Sequence, residues 1–213
     1  MKVLHVCDNP KPTDESVSKQ LAVKFFGKLM SLNSDVDIDN VDLNAEPPPP
    51  YSYEQYKACW YPATIPGYVP TAEEDAAAVY AKAQAEKFNQ ADVLVLTMPL
   101  WNFSMPGGMK SWIDHIIAPG LTFYLEDGAR KPLHRVKRMI LIVASGEAFH
   151  EDDERDALTP AITQTFRSIG IDDISLAWAD GQNPNLHTDS ATRMEMAAEA
   201  VEEHAEEVAE KGI

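Results

Sequence analysis

The chain is poor in positive charge: 18 lysines and arginines stand against 34 aspartates and glutamates, a formal net charge of −16 over 213 residues. Such a surface repels phosphate backbones and anionic lipid, so neither nucleic acid nor a membrane is an expected partner. Cysteine is scarce as well, with only Cys7 and Cys59, far apart in sequence. Two such residues build neither a disulfide framework nor a zinc site, and Cys7, within an apolar run, reads as a small buried hydrophobe. No apolar run approaches the roughly 18 residues of a membrane-spanning helix. The N-terminus, Met1-Lys2-Val3-Leu4-His5-Val6-Cys7, enters a strand with no signal-peptide pattern, which predicts a cytoplasmic protein. Also missing are GxxxxGK[ST], GxGxxG and GxSxG, which excludes a P-loop, a Rossmann dinucleotide fingerprint and a hydrolase nucleophile elbow.

What remains is ample core material. Hydrophobic residues make up 45% of the chain, enough for one large domain over residues 1–213. Strand and helix patterns alternate, which predicts a parallel sheet covered on both faces. Strands are expected at Lys2–Cys7, Asp35–Val41, Asp92–Thr97, Val136–Ala144 and Ile174–Ala177. Helices are expected at Ser16–Leu32, Thr71–Gln90, Gly108–Ile117, from Thr159 to Gly170, and at Ser190–Lys211. Thr71 followed by Glu74 is a capping-box pattern. Thr159 is read as an N-cap, with Pro160 in the first turn. Residues 47–70, from Pro47-Pro48-Pro49-Pro50 through Trp60, Tyr61 and Tyr68, are too long and aromatic for a plain linker. They read either as a loop packed over the sheet edge or as a dimer contact and active-site rim.

Three loops at predicted strand ends hold the candidate chemistry. The first is Asp8 to Glu15 with Ser16-Val17-Ser18 opening a helix, where free backbone N–H groups and two hydroxyls suit an anion. Simple helix capping by the serines explains the same residues. The second is Met98-Pro99-Leu100-Trp101-Asn102-Phe103-Ser104-Met105-Pro106, a proline-bounded aromatic loop after the central apolar strand. Open α/β sheets bind ligands beyond such strand ends, and apolar surface mixed with amides suits a flat amphipathic heterocycle. The third is Ala144-Ser145-Gly146-Glu147-Ala148-Phe149-His150.

The run Pro-Leu-Trp-Asn-Phe-Ser, with Gly120-Leu121-Thr122-Phe123 further along, resembles the FMN-dependent azoreductase and NAD(P)H:quinone oxidoreductase family. That resemblance extends from Val3 to about Val208. It implies a flavodoxin-like three-layer α/β sandwich whose five-stranded parallel sheet runs in the order 2-1-3-4-5. It further implies that Ser16 and Ser18 hold the FMN phosphate, with Asn9 where a serine is common. Pro99, Leu100, Trp101, Asn102 and Phe103 would carry the flavin ring, and Ser145 and Gly146 would approach its pyrimidine side. Glu147-Ala148 replaces the second glycine usual there. His150 reads either as a surface residue or as a donor to the flavin O2, and Phe123 either as core or as the stacking face for substrate. The implied activity is two-electron, ping-pong transfer from NADH or NADPH to a quinone or azo compound, in a homodimer. A non-enzymatic flavodoxin-like electron carrier or flavin-sensing interaction protein is the alternative.

Overall fold

The computed structural model describes residues 1–150 and 152–211. Among the described residues seven strands and seven α-helices follow one another: β1 (Lys2–Cys7), α1 (Val17–Leu32), β2 (Asp37–Asp42), α2 (Tyr53–Thr64), α3 (Ala72–Ala77), α4 (Val79–Gln90), β3 (Val93–Pro99), α5 (Gly107–Ile116), β4 (Phe123–Glu126), β5 (Ala129–Pro132), β6 (Arg138–Ala144), α6 (Thr159–Arg167), β7 (Asp173–Ala179) and α7 (Ser190–Lys211). Five strands form a parallel sheet ordered β2-β1-β3-β6-β7, and β4-β5 is a separate antiparallel hairpin. The expected order 2-1-3-4-5 therefore becomes 2-1-3-6-7. The hairpin has no sequence signature, because β4 and β5 bury one residue, Phe123, and so lack the apolar alternation that marks a strand.

Alternation along the central strands divides the core in two. Leu4, Val6, Leu94, Leu96, Met98, Met139, Leu141 and Val143 pack against Phe88 of α4, Trp112 and Ile116 of α5, and Phe166 of α6. Val3, Val93, Val95, Ile140 and Ile142 pack against Leu21, Phe25 and Leu29 of α1 and Val201, Ala205 and Val208 of α7. Each side chain points to the opposite layer from its neighbour, so both faces must be covered. Cys7 is buried, and burial pushes its thiol up to about 11, which leaves it inert.

Two helical expectations change. The segment 71–90 breaks at Ala78 (φ −89°, ψ 0°) into α3 and α4, although the Thr71–Glu74 capping box is present. Thr159 is the first residue of α6 and not its cap; Asp156 Oδ1 accepts from the N–H groups of Leu158 and Thr159 instead. Within residues 47–70 lies α2, capped by Ser52, whose side chain accepts from Gln55 N–H. Pro62 near its end and the proline run before it hide this helix from a sequence reading. Among the described residues no helix is long and apolar enough to cross a membrane.

Candidate active site

The chain leaves β1 toward β2 on one side and returns to β3 on the other. The crevice at the carboxyl ends of β1 and β3 is thus a topological switch point. A cavity of about 380 Å³ opens there, walled by Asn9, Ser16, Ser18, Pro99–Trp101 and Ser145–Gly146. A second, of about 230 Å³, shares Leu100, Ser145, Gly146 and Asn183 with it and adds Asn102, Phe103 and Glu147. The two form one cleft, of a size that suits a small organic cofactor.

One end is built from side chains. Asn9 is 4% exposed, and its Nδ2 donates to Ser16 Oγ at 2.8 Å and to Ser18 Oγ at 3.3 Å. Both oxygens thereby accept, and they lie 3.4 Å apart, so a hydroxyl proton not shared between the two serines is available to a ligand. Ser16 also caps α1 by accepting from Lys19 N–H at 3.3 Å. Capping and anion binding, separate readings of the sequence, are compatible here. The N–H groups of Val17 and Ser18 have no acceptor among the described residues. Two hydroxyls fixed by the Asn9 carboxamide converge with two helix-end amides, a donor set that suits an anion. Lys11 also lines this end, and Lys19 Nζ donates to the Lys11 carbonyl at 2.8 Å.

The other end is built from backbone. Leu100 N–H donates to Ala144 O at 2.8 Å, extending the β3–β6 pairing by one residue. Trp101 and Ser104 then exchange two bonds of 3.0 Å around Asn102 and Phe103, whose φ angles are +48° and +67°. Positive φ at both central residues is the type I′ signature, tolerable for asparagine and strained for phenylalanine. Phe103 O accepts from Ala157 N–H at 2.9 Å, which ties the tip down. The N–H groups of Asn102 and Phe103 have no acceptor among the described residues, while Trp101 and Phe103 are 43% and 49% exposed.

Asp8 anchors this loop from beneath. Its carboxylate accepts from Met109 N–H at 2.6 Å, in the first turn of α5, and from Asn44 Nδ2 at 3.1 Å. A Cβ at Gly108 would fall 2.6 Å from Asp8 Oδ2, so only glycine permits this approach. Burial raises the Asp8 carboxyl above its usual range, against the hydrogen bonds that hold it ionised.

The third wall is the turn after β6. Gly181, Gln182 and Asn183 N–H donate to the carbonyls of Glu147, Ser145 and Gly146 at 2.8, 2.9 and 3.1 Å. Ser145 Oγ donates to Glu147 O at 2.8 Å, so its hydroxyl serves the turn while its backbone borders the cleft. Gln182 and Asn183 also line the cleft and were not anticipated. The signal was present as a polar turn cluster at the carboxyl end of the last strand, Asp180-Gly181-Gln182-Asn183.

Ten of the twelve expected residues thus come together: Asn9, Ser16, Ser18, Pro99, Leu100, Trp101, Asn102, Phe103, Ser145 and Gly146. His150 instead borders a neighbouring cavity with Asp152, Asp156 and Trp178; its side chain is 77% exposed, with Nε2 3.5 Å from Asp153. Phe123 is 1% exposed and belongs to the core, with the Arg130 guanidinium 4.8 Å from its ring centre. The rest of β4, Tyr124 to Glu126, is exposed, so Phe123 is the one residue of this strand that joins the core. It is not a stacking face of the cleft.

A family model described as the flavodoxin-like fold matches residues 1–205. An FMN-dependent NADH:quinone oxidoreductase of Xanthomonas axonopodis pv. citri (strain 306) is 30% identical over 181 residues, 85% of this chain and 86% of that protein. One of Beijerinckia indica subsp. indica is 30% identical over 207 residues, 92% of this chain and 97% of that protein. Among solved structures, an FMN-dependent NADH-azoreductase from Bacillus anthracis str. Ames Ancestor in complex with FMN aligns with a TM-score of 0.83 at 25% identity, covering 98% of this chain and 99% of that one.

Proposed function

Because the chain belongs to the flavodoxin-like fold family, together with the FMN-dependent NADH:quinone oxidoreductases, we propose that it is an FMN-dependent oxidoreductase that carries electrons from NADH to quinones and azo compounds. The observation that carries this reading is the pairing of an Asn9-held serine pair at one end of the cleft with unpartnered backbone amides at the other. A phosphate-bearing heterocycle satisfies both ends.

In this reading Ser16, Ser18 and the amides of Val17 and Ser18 hold the phosphate. Leu100 and Trp101 cover the apolar edge of the ring. The amides of Asn102, Phe103, Gly146 and Glu147 donate to its polar edge. When bound, the flavin supplies two-electron hydride chemistry that no side chain can perform. The chain's own task is to position donors in advance where negative charge develops. No carboxylate or nucleophile is required to act covalently.

The half-exposed Trp101 and Phe103 leave one open face, which supports alternate occupation by nicotinamide and acceptor, the ping-pong order. A second copy of the chain fits the exposed aromatic surface of residues 51–69, where Tyr53, Ile65 and Val69 are 62%, 42% and 80% exposed. We therefore propose a homodimer, testable by sedimentation. Two free cysteines support a reducing, cytoplasmic compartment. The activity test is direct: purified protein supplied with FMN oxidises NADH when menadione or methyl red is added. Yellow protein that ignores nicotinamides yet takes electrons from a reductase would instead be a carrier.

A further inference from the structure

We propose that Trp178 is a positioning residue of the flavin site, acting through the Ser145 hydroxyl on the turn beside the ring; this rests on the flavin reading above. Trp178 lies near the end of β7. Its indole Nε1–H donates to Ser145 Oγ at 2.9 Å. With that oxygen accepting, the Ser145 proton is directed to Glu147 O at 2.8 Å, which closes the turn. The same indole packs at a tilt against Phe149, with centroids 4.9 Å apart and planes 31° apart, and Arg155 covers Phe149 at 4.8 Å. One side chain thus holds both ends of the segment 145–149, by a hydrogen bond at its start and by ring contact at its finish.

Between those ends sit the N–H groups of Gly146 and Glu147, which have no acceptor among the described residues and border the cleft. Donors fixed in place before binding stabilise charge on a reduced ring without reorganisation. Donors on a loose turn must be ordered by the ligand, at a cost in affinity. Trp178 therefore bears on cofactor affinity and reduction potential without touching the cofactor.

Trp178→Phe keeps a ring against Phe149 and deletes the donor; Ser145→Ala deletes the acceptor from the other side. Loss of one hydrogen bond corresponds to about a fivefold effect. In the apoprotein, amide exchange at Gly181, Gln182 and Asn183, which donate into this turn, should accelerate about fivefold in either variant, while exchange at Val95 in the central strand stays unchanged. With FMN, the dissociation constant should rise about fivefold and the midpoint potential should become more negative. The double variant should be no worse than either single one. Unchanged exchange in both variants, or additive effects in the double, would overturn the positioning role. Faster exchange with FMN affinity and potential both unmoved would instead show that the ring does not rest on this turn, and would overturn the flavin reading on which the proposal stands.

Discussion

The two ends of the cleft are built by different means. At the end proposed to hold the phosphate the lining groups are side chains, buried and locked to one another: Asn9, Ser16 and Ser18 are 4%, 1% and 0% exposed. At the end proposed to hold the ring, Trp101 and Phe103 are half in solvent, and the candidate donors are backbone amides, those of Asn102 and Phe103 on left-handed residues. A compact, doubly charged group rewards several rigid donors at a helix end, whereas a wide ring needs donors spread over two loops. The difference teaches that substitution should act on the two ends by different routes, through lost donors at one and through backbone geometry at the other.

The largest expected effect breaks the phosphate end alone. Ser16→Ala with Ser18→Ala should weaken FMN on the order of 100-fold, as two bonds to an anion are lost, and leave riboflavin little changed. Equal losses measured by fluorescence titration with both ligands would place the phosphate elsewhere. At the ring end, Gly108→Ala puts a methyl against the Asp8 carboxylate and should cost about 1–3 kcal/mol in urea unfolding, because the contact is overpacked. Asn102 sharpens the contrast further. Asn102→Gly should retain FMN, while Asn102→Val, strained at positive φ by about 1–3 kcal/mol, should weaken it about tenfold. If both variants lost FMN equally, the Asn102 side chain and not its backbone would be the contact.

The smallest effect lies outside the cleft and serves as a control. Glu74 is held at about 2 by Lys57, by Thr71 N–H and by the Tyr68 hydroxyl. Its folded pKa is depressed, so its stabilisation is full above the ordinary carboxylate range and is lost as pH falls toward 2. Acid titration of tyrosine fluorescence should show the aromatic segment loosening in that window. Glu74→Gln should remove this pH dependence and leave FMN binding at pH 7 unaltered.

How much of this was legible in the sequence follows the same division. Side-chain lining is written in residue types, so the Ser16-Val17-Ser18 signal marks one end of the cleft. The proline-bounded aromatic run marks the other. Its mechanism was not visible, because reciprocal bonds between Trp101 and Ser104 and positive φ angles are properties of backbone. The role of Asp8 is not legible in sequence because its partner, Met109 N–H, lies 101 residues away. Phe123 has two readings in sequence, and its own burial in the core decides between them. The break at Ala78 and the helix α2 were hidden by continuous helical pattern in one case and by proline in the other.

Titration of the wild-type apoprotein with FMN tests the central claim most directly. The account predicts saturable uptake of one FMN per chain, with quenching of tryptophan fluorescence as Trp101 meets the ring. Absence of saturable uptake would contradict it.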